Sequence, residues 1–266
     1  MKTNERQLIY YHFHEVFKPF VKSIYHVPGA SSESFFSDLD ILAFYDDISA
    51  FNLNSLFCRF TDILKSVFRK SIFIRWSTSS LFEPVELVEG VDYPIVIDIL
   101  LLKYLGNGIV SQIGFDSGIL CRMLNKGKLA FGEAPPFENL SILNSFSSKS
   151  MTIYYQNNIS QLIELCSKIN IPFYVVLNSI KILSYALYKY AAILNEYRVS
   201  RIEYDRKKIA NVISVEHPNI GRQIELIFDR VKIKPSSLSI NDAKVVLDGS
   251  FKVVKQLFDI ALILME

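Results

Sequence analysis

The sequence predicts a mixed α/β first half followed by an all-helical second half. Three observations carry this. Two apolar runs of strand character, residues 38–45 (DLDILAFY) and 93–102 (YPIVIDILLL), both fall in the first half. Segments of helical periodicity, residues 5–20 and 55–68, are interleaved with them. Beyond Pro135-Pro136 and the serine-rich stretch 141–150, only the helical period recurs.

Taken in order, residues 5–20 read as an amphipathic helix. A short apolar segment, residues 23–27, runs up to Pro28-Gly29, and a loop of small polar residues, 30–37, follows. Residues 38–45 alternate at their start and then turn apolar and aromatic, as a strand does. In residues 55–68, Leu56, Phe60, Ile63, Leu64 and Val67 share one helical face. Residues 71–76 read as a further strand, and the β-branched and aliphatic run 93–102 as a buried one. The break in composition at 133–150 sets a domain boundary, giving domains 1–145 and 146–266. In the second, Pro172 suits the first turn of a long helix, where its missing N–H costs little. Phe173, Val176, Leu177, Ile180, Leu183, Leu187, Tyr190 and Leu194 then recur at helical spacing. Shorter helices fit 203–212 and 220–231, and a last one starts after Ser239 with Asp242 in its first turn.

Half of the 266 residues are hydrophobic and the formal net charge is +2. That composition predicts a globular chain and argues against a whole-surface nucleic-acid binder. Cys58, Cys121 and Cys166 lie far apart, with neither a CxxC pair nor a zinc spacing. They suit a reducing cytoplasm, where a free cysteine acts as a small hydrophobe. Residues 1–7 are polar and mixed in charge, unlike a signal peptide. The most apolar stretch, 171–194, carries Lys181 and Lys189 at helical period, so it is expected to be a core helix and no membrane span.

Asp38-Leu39-Asp40 is the most informative tripeptide. Residues two apart on a strand point to the same face, so both carboxylates project together and repel unless a cation sits between them. Mg²⁺ takes a few carboxylate oxygens and leaves its other positions to phosphates and water. The preceding loop, residues 29–37, offers backbone N–H groups and hydroxyls to phosphate oxygens. A third acid, Asp98, stands alone in an apolar strand, where a buried carboxylate needs a partner or a metal. Placing it beside Asp38 and Asp40 meets that need. Lys181, Tyr185 and Lys189 form a polar helical stripe, either a solvated face or a contact to phosphate or acceptor. Arg198, Arg201, Arg206, Lys207 and Lys208 form a basic cluster expected to be solvated. The four histidines show no metal spacing, and Asp46-Asp47 reads as a solvated turn.

These segments together resemble the DNA polymerase β-like nucleotidyltransferases. The resemblance rests on Gly29-Ala30-Ser31, on Ser37-Asp38-Leu39-Asp40-Ile41-Leu42 and on Ile97-Asp98-Ile99, preceded by a helix and a short strand. Residues 119–132 (ILCRMLNKGKLAFG) are similar to the helix, glycine turn and short strand that close this domain in small-molecule members. The helical half resembles the acceptor-binding domain of aminoglycoside nucleotidyltransferases. The resemblance implies Mg²⁺-dependent transfer of a nucleoside monophosphate, with ATP the expected donor, to a hydroxyl of a small acceptor such as an aminoglycoside. Asp38, Asp40 and Asp98 would hold metal, and Asp98 would also help deprotonate the acceptor. Gly29, Ala30, Ser31, Ser32 and Ser37, with Lys181 from the helical half, are the expected nucleotide contacts. The chain has Gly29-Ala30 where the family has Gly-Ser or Gly-Gly. A tRNA or protein acceptor, and a fold kept as an interaction module without turnover, are the alternatives.

Overall fold

The computed structural model describes residues 3–27, 39–45, 50–76, 81, 94–103, 123–124, 126–133, 148–197 and 202–266. They divide into two compact units, one holding the β-strands and the first two helices, the other the helices from Ser148 onward. The boundary expected at 145/146 lies outside the described residues.

The first unit opens with α1 (Thr3–Phe17), which ends in a 3₁₀ turn at Lys18–Phe20. Then come β1 (Ser23–Val27), β2 (Leu39–Tyr45), α2 (Ala50–Val67), β3 (Ile72–Arg75), β4 (Ile95–Lys103) and β5 (Lys128–Gly132). The sheet order is β3-β4-β2-β1-β5. β4 runs parallel to both β3 and β2, while β1 is antiparallel to β2 and β5. The α1 face Ile9, Phe13, Val16 and Phe17 and the α2 face Leu56, Phe60 and Leu64 recur at helical spacing and are all buried. They pack on alternate strand residues: Ile24 of β1, Leu39, Ile41 and Ala43 of β2, and Ile95, Ile97 and Ile99 of β4. Because strand side chains alternate, this clustering sends Asp40, Leu42, Val96, Asp98 and Leu100 to the opposite face. Trp76, just past β3, closes the helix-side cluster by stacking on Phe57 at 3.9 Å.

β5 joins β1 with a register shift between Ile24 and Tyr25. Gly132 ends it with φ of 76°, and a Cβ there would stand 1.7 Å from the Lys22 carbonyl oxygen. Only glycine fits that approach.

The second unit comprises α3 (Ser148–Cys166), α4 (Pro172–Tyr197), α5 (Arg206–Glu216), α6 (Pro218–Asp229) and α7 (Ile240–Met265). Ser148, Lys149 and Ser150, read from sequence as part of the serine-rich break, are the first turn of α3. α4 is the central element, buried on every side from Phe173 to Leu194. It packs on α7, α3 and α5, and α7 also packs on α3 and α6. α5 starts at Arg206 and not at Glu203 because Asp205 caps it, accepting from the backbone N–H groups of Lys207 and Lys208. α7 starts where expected, with Ser239 and Asp242 forming a capping box. Cys58 and Cys166 are exposed, so neither serves as a core hydrophobe. Among the described residues no helix is long and apolar enough to cross a membrane.

Candidate active site

The site follows from strand register. The parallel pairing of β2 with β4 sets Asp40 opposite Asp98, and that of β3 with β4 sets Arg75 opposite Asp98. On the other side Val27 of β1 pairs with Asp40. Arg75, Asp98, Asp40 and Val27 thus form one row across four neighbouring strands. The row lies on the sheet face turned away from α1 and α2, since its chain neighbours Leu39, Ile41, Ile97 and Ile99 belong to the helix-side cluster. Arg75, Asp98 and Asp40 are 1%, 2% and 2% exposed.

The lone acid of the β4 run has its partner in Arg75. The Arg75 guanidinium forks onto it, Nε donating to Oδ1 at 3.2 Å and Nη2 to Oδ2 at 2.5 Å. Sequence reasoning asked for a partner or a metal at Asp98 and did not find this one. The available signal was Arg75 itself, a charge in an otherwise apolar strand, at the parity opposite to Ile72 and Ile74.

Of the three expected metal ligands, the structure brings Asp40 and Asp98 together. Asp38 lies outside the described residues, as do Gly29, Ala30, Ser31, Ser32 and Ser37. Among the described residues no group of three or more histidine, cysteine or acidic side chains is placed to hold a metal. The two that are described fit a hard divalent cation by chemistry. They are carboxylates on adjacent strands and one face, and with Arg75 the row carries one net negative charge.

On the helix side of β1, Tyr10 of α1 stacks on His26 at 3.5 Å between ring centroids. Burial, and then the negative charge of Asp40, push the Tyr10 hydroxyl up to about 12. His26 Nε2 lies 3.0 Å from His14 Nε2, one ring donating and the other accepting. Burial and the neighbouring His14 push His26 down to about 4, and burial with the Lys18 charge lowers His14.

In the helical unit, Lys181, Tyr185 and Lys189 are 7%, 6% and 6% exposed. The stripe is therefore no solvated face, because α4 is enclosed by its neighbours. Burial holds the Lys181 ammonium well below the usual lysine range, and the Arg206 charge adds to this. Arg206, expected to be solvated, is half-buried. Its Nη1 donates to Ser184 Oγ at 3.2 Å, and its guanidinium lies 5.4 Å from the centre of the Phe228 ring. Lys207 and Lys208 of the same cluster are exposed, as expected.

The chain thus has a small mixed sheet packed on two helices, followed in sequence by an all-helical unit. Among solved structures the chain is similar to the spectinomycin adenyltransferase AAD(9) from Enterococcus faecialis, determined with ATP and spectinomycin. The two share 12% identity and a TM-score of 0.50, over 98% of this chain and 100% of that one. At that identity the likeness is one of fold. No protein-family model and no curated protein sequence matches the chain.

Proposed function

We propose that this protein transfers a nucleoside monophosphate from ATP to a hydroxyl of a small-molecule acceptor of the aminoglycoside class and releases pyrophosphate. One observation carries the reading: Asp40 and Asp98 stand on paired positions of adjacent strands, buried, on one face of the mixed sheet. In this reading the sheet domain, 1–145, takes the nucleotide and the helical domain, 146–266, selects the acceptor. Asp38, Asp40 and Asp98 hold Mg²⁺, which supplies charge compensation on the transferred phosphate and the leaving group. Gly29, Ala30, Ser31, Ser32 and Ser37 offer backbone and hydroxyl donors to the triphosphate, and Lys181 is the nucleotide contact expected from the helical half. Asp98 accepts the acceptor's hydroxyl proton as that oxygen bonds to the α-phosphorus and the bond to the β-phosphate oxygen breaks. An ATP donor places the reaction in the cytoplasm.

The test is to measure melting with each nucleoside triphosphate, with and without Mg²⁺, and then to follow label from α-labelled ATP. Spectinomycin, pooled aminoglycosides, bulk tRNA and protein are offered in turn. The expected result is Mg²⁺-dependent stabilisation by ATP, since a ligand at about 100 times its Kd adds about 2.7 kcal/mol to the native state. Label should pass to a small molecule. Stabilisation by no triphosphate refutes nucleotide transfer, and label passing only to tRNA or protein refutes the acceptor.

A further inference from the structure

Arg75 belongs to the acid row by register, by burial and by contact, and the metal-and-acid reading gives it no part. A guanidinium 1% exposed is retained in an interior only with its charge met, and here it is met by both oxygens of Asp98. The fork does two things at once. It fixes the plane of the Asp98 carboxylate, because two parallel N–H···O bonds permit one orientation where a single point charge permits many. It also neutralises one of two adjacent carboxylates that would otherwise repel across neighbouring strands. Each carboxylate oxygen has two lone pairs and the fork uses one on each, so the pairing is bidentate and does not exhaust the acceptor sites of a carboxylate.

Resting on the function proposed above, we propose that Arg75 is the positioning residue of the site. It acts as a built-in counter-cation that holds Asp98 oriented beside Asp40 before any metal arrives and keeps the bare acid row from binding divalent cations tightly. The triphosphate's own negative charge would restore the attraction that Arg75 removes, so Asp40 and Asp98 would hold a divalent cation tightly only alongside it.

Manganese, which is paramagnetic and oxygen-seeking, reads this without an acceptor. Mn²⁺ binding to the whole protein is titrated by electron paramagnetic resonance, with and without ATP, for wild type, Arg75→Gln and Arg75→Lys. Arg75→Gln removes the charge and should bind Mn²⁺ without ATP about tenfold or more tightly than wild type. Arg75→Lys keeps the charge and loses the fork. Its ATP-free Mn²⁺ affinity should stay within about threefold of wild type, while the spectrum of the Mn²⁺–ATP complex broadens as Asp98 loses its fixed plane. Where Arg75→Gln does not fold without metal, the gain in melting temperature on adding Mn²⁺ reads the same quantity and should exceed that of wild type. If wild type binds Mn²⁺–ATP and Arg75→Gln shows unchanged ATP-free affinity and unchanged metal-induced stabilisation, the counter-cation role is overturned and the function stands. If wild type binds no Mn²⁺–ATP while Arg75→Gln binds Mn²⁺, the function falls and the counter-cation role stands. If neither protein binds Mn²⁺, both are overturned.

Discussion

Replacing Asp98 by asparagine removes one charge from a pair whose members are 1% and 3% exposed at the side chain. Breaking a buried ion pair from one side costs about 3–5 kcal/mol, chiefly because the surviving charge is left uncompensated. Asparagine still offers one oxygen to the fork, so one of the two hydrogen bonds to Arg75 survives. The cost expected for Asp98→Asn is therefore about 2–4 kcal/mol. The chain carries its own probe, since Trp76 is the single tryptophan and follows Arg75 directly, stacked on Phe57 at 3.9 Å. Its fluorescence in a urea titration reports the sheet unit, while far-ultraviolet circular dichroism is dominated by the helices. The double variant Arg75→Gln/Asp98→Asn should recover to within about 1 kcal/mol of wild type, because no lone charge is then left in the interior. A Trp76-reported loss below about 1 kcal/mol for Asp98→Asn would refute the buried-pair energetics. The same loss complicates the catalytic test. Turnover should fall about a hundredfold or more on losing a positioned proton acceptor, and the comparison must be made where the variant is fully folded.

Three further outcomes are expected. Asp40→Asn should abolish Mg²⁺-dependent stabilisation by ATP and leave the apo melting temperature within a few degrees of wild type, since the substitution is isosteric and relieves like charge beside Asp98; triphosphate binding at wild-type affinity would remove Asp40 from the site. His26 has its folded pKa near 4 against 6.5 unfolded, so below pH 6.5 the unfolded chain takes up a proton that the folded chain refuses. Stability should be full above about pH 6.5 and decline toward pH 4, by roughly 1–2 kcal/mol once solvent screening of a half-buried ring is allowed for; an acid limb of the Trp76 melting profile unchanged in His26→Phe would contradict this. Gly132→Ala drives a Cβ to 1.7 Å from a backbone oxygen at a positive φ, and should cost roughly 2 kcal/mol or more in urea titration; a neutral result would show that β5 moves freely on β1.

What the sequence made legible was whatever rests on local period. The helix-facing row Leu39, Ile41, Ile97 and Ile99 and the opposite-facing Asp40 and Asp98 follow from alternation alone, and an acid inside an apolar run announced that something must meet it. Arg75 was not found because its partner is set by non-local register: nothing near Arg75 in the chain says that β3 lies beside β4. Lys181, Tyr185 and Lys189 recur every four residues like a solvated stripe, and a stripe cannot reveal that its helix is wrapped on all sides. The long stems of lysine and tyrosine make such burial tolerable. Periodicity alone extends α5 back to Glu203, whereas Asp205, accepting from the backbone N–H groups of Lys207 and Lys208, starts it at Arg206. The first turn of α3 hides in Ser148-Lys149-Ser150, residues as common in linkers as in first turns.

The precision of the acid row comes from residues that never enter it. Asp98 is flanked in the chain by Ile97 and Ile99, both fully buried among the α1 and α2 side chains, and Asp40 by Leu39 and Ile41 in the same cluster. A one-residue slip of β4 against β2 would carry Asp98 into that apolar layer, parted from Arg75 and Asp40, and would turn two isoleucines out of it. Burying one unpaired carboxylate costs several kcal/mol, and each isoleucine withdrawn forfeits about 1.5–3 kcal/mol more. Both penalties favour the same register, so the pairing of Asp40 with Asp98 is over-determined by packing. A row held this way needs no ligand to assemble it. Arg75 is what makes that possible, because two adjacent carboxylates without a cation would work against the register that the isoleucines impose.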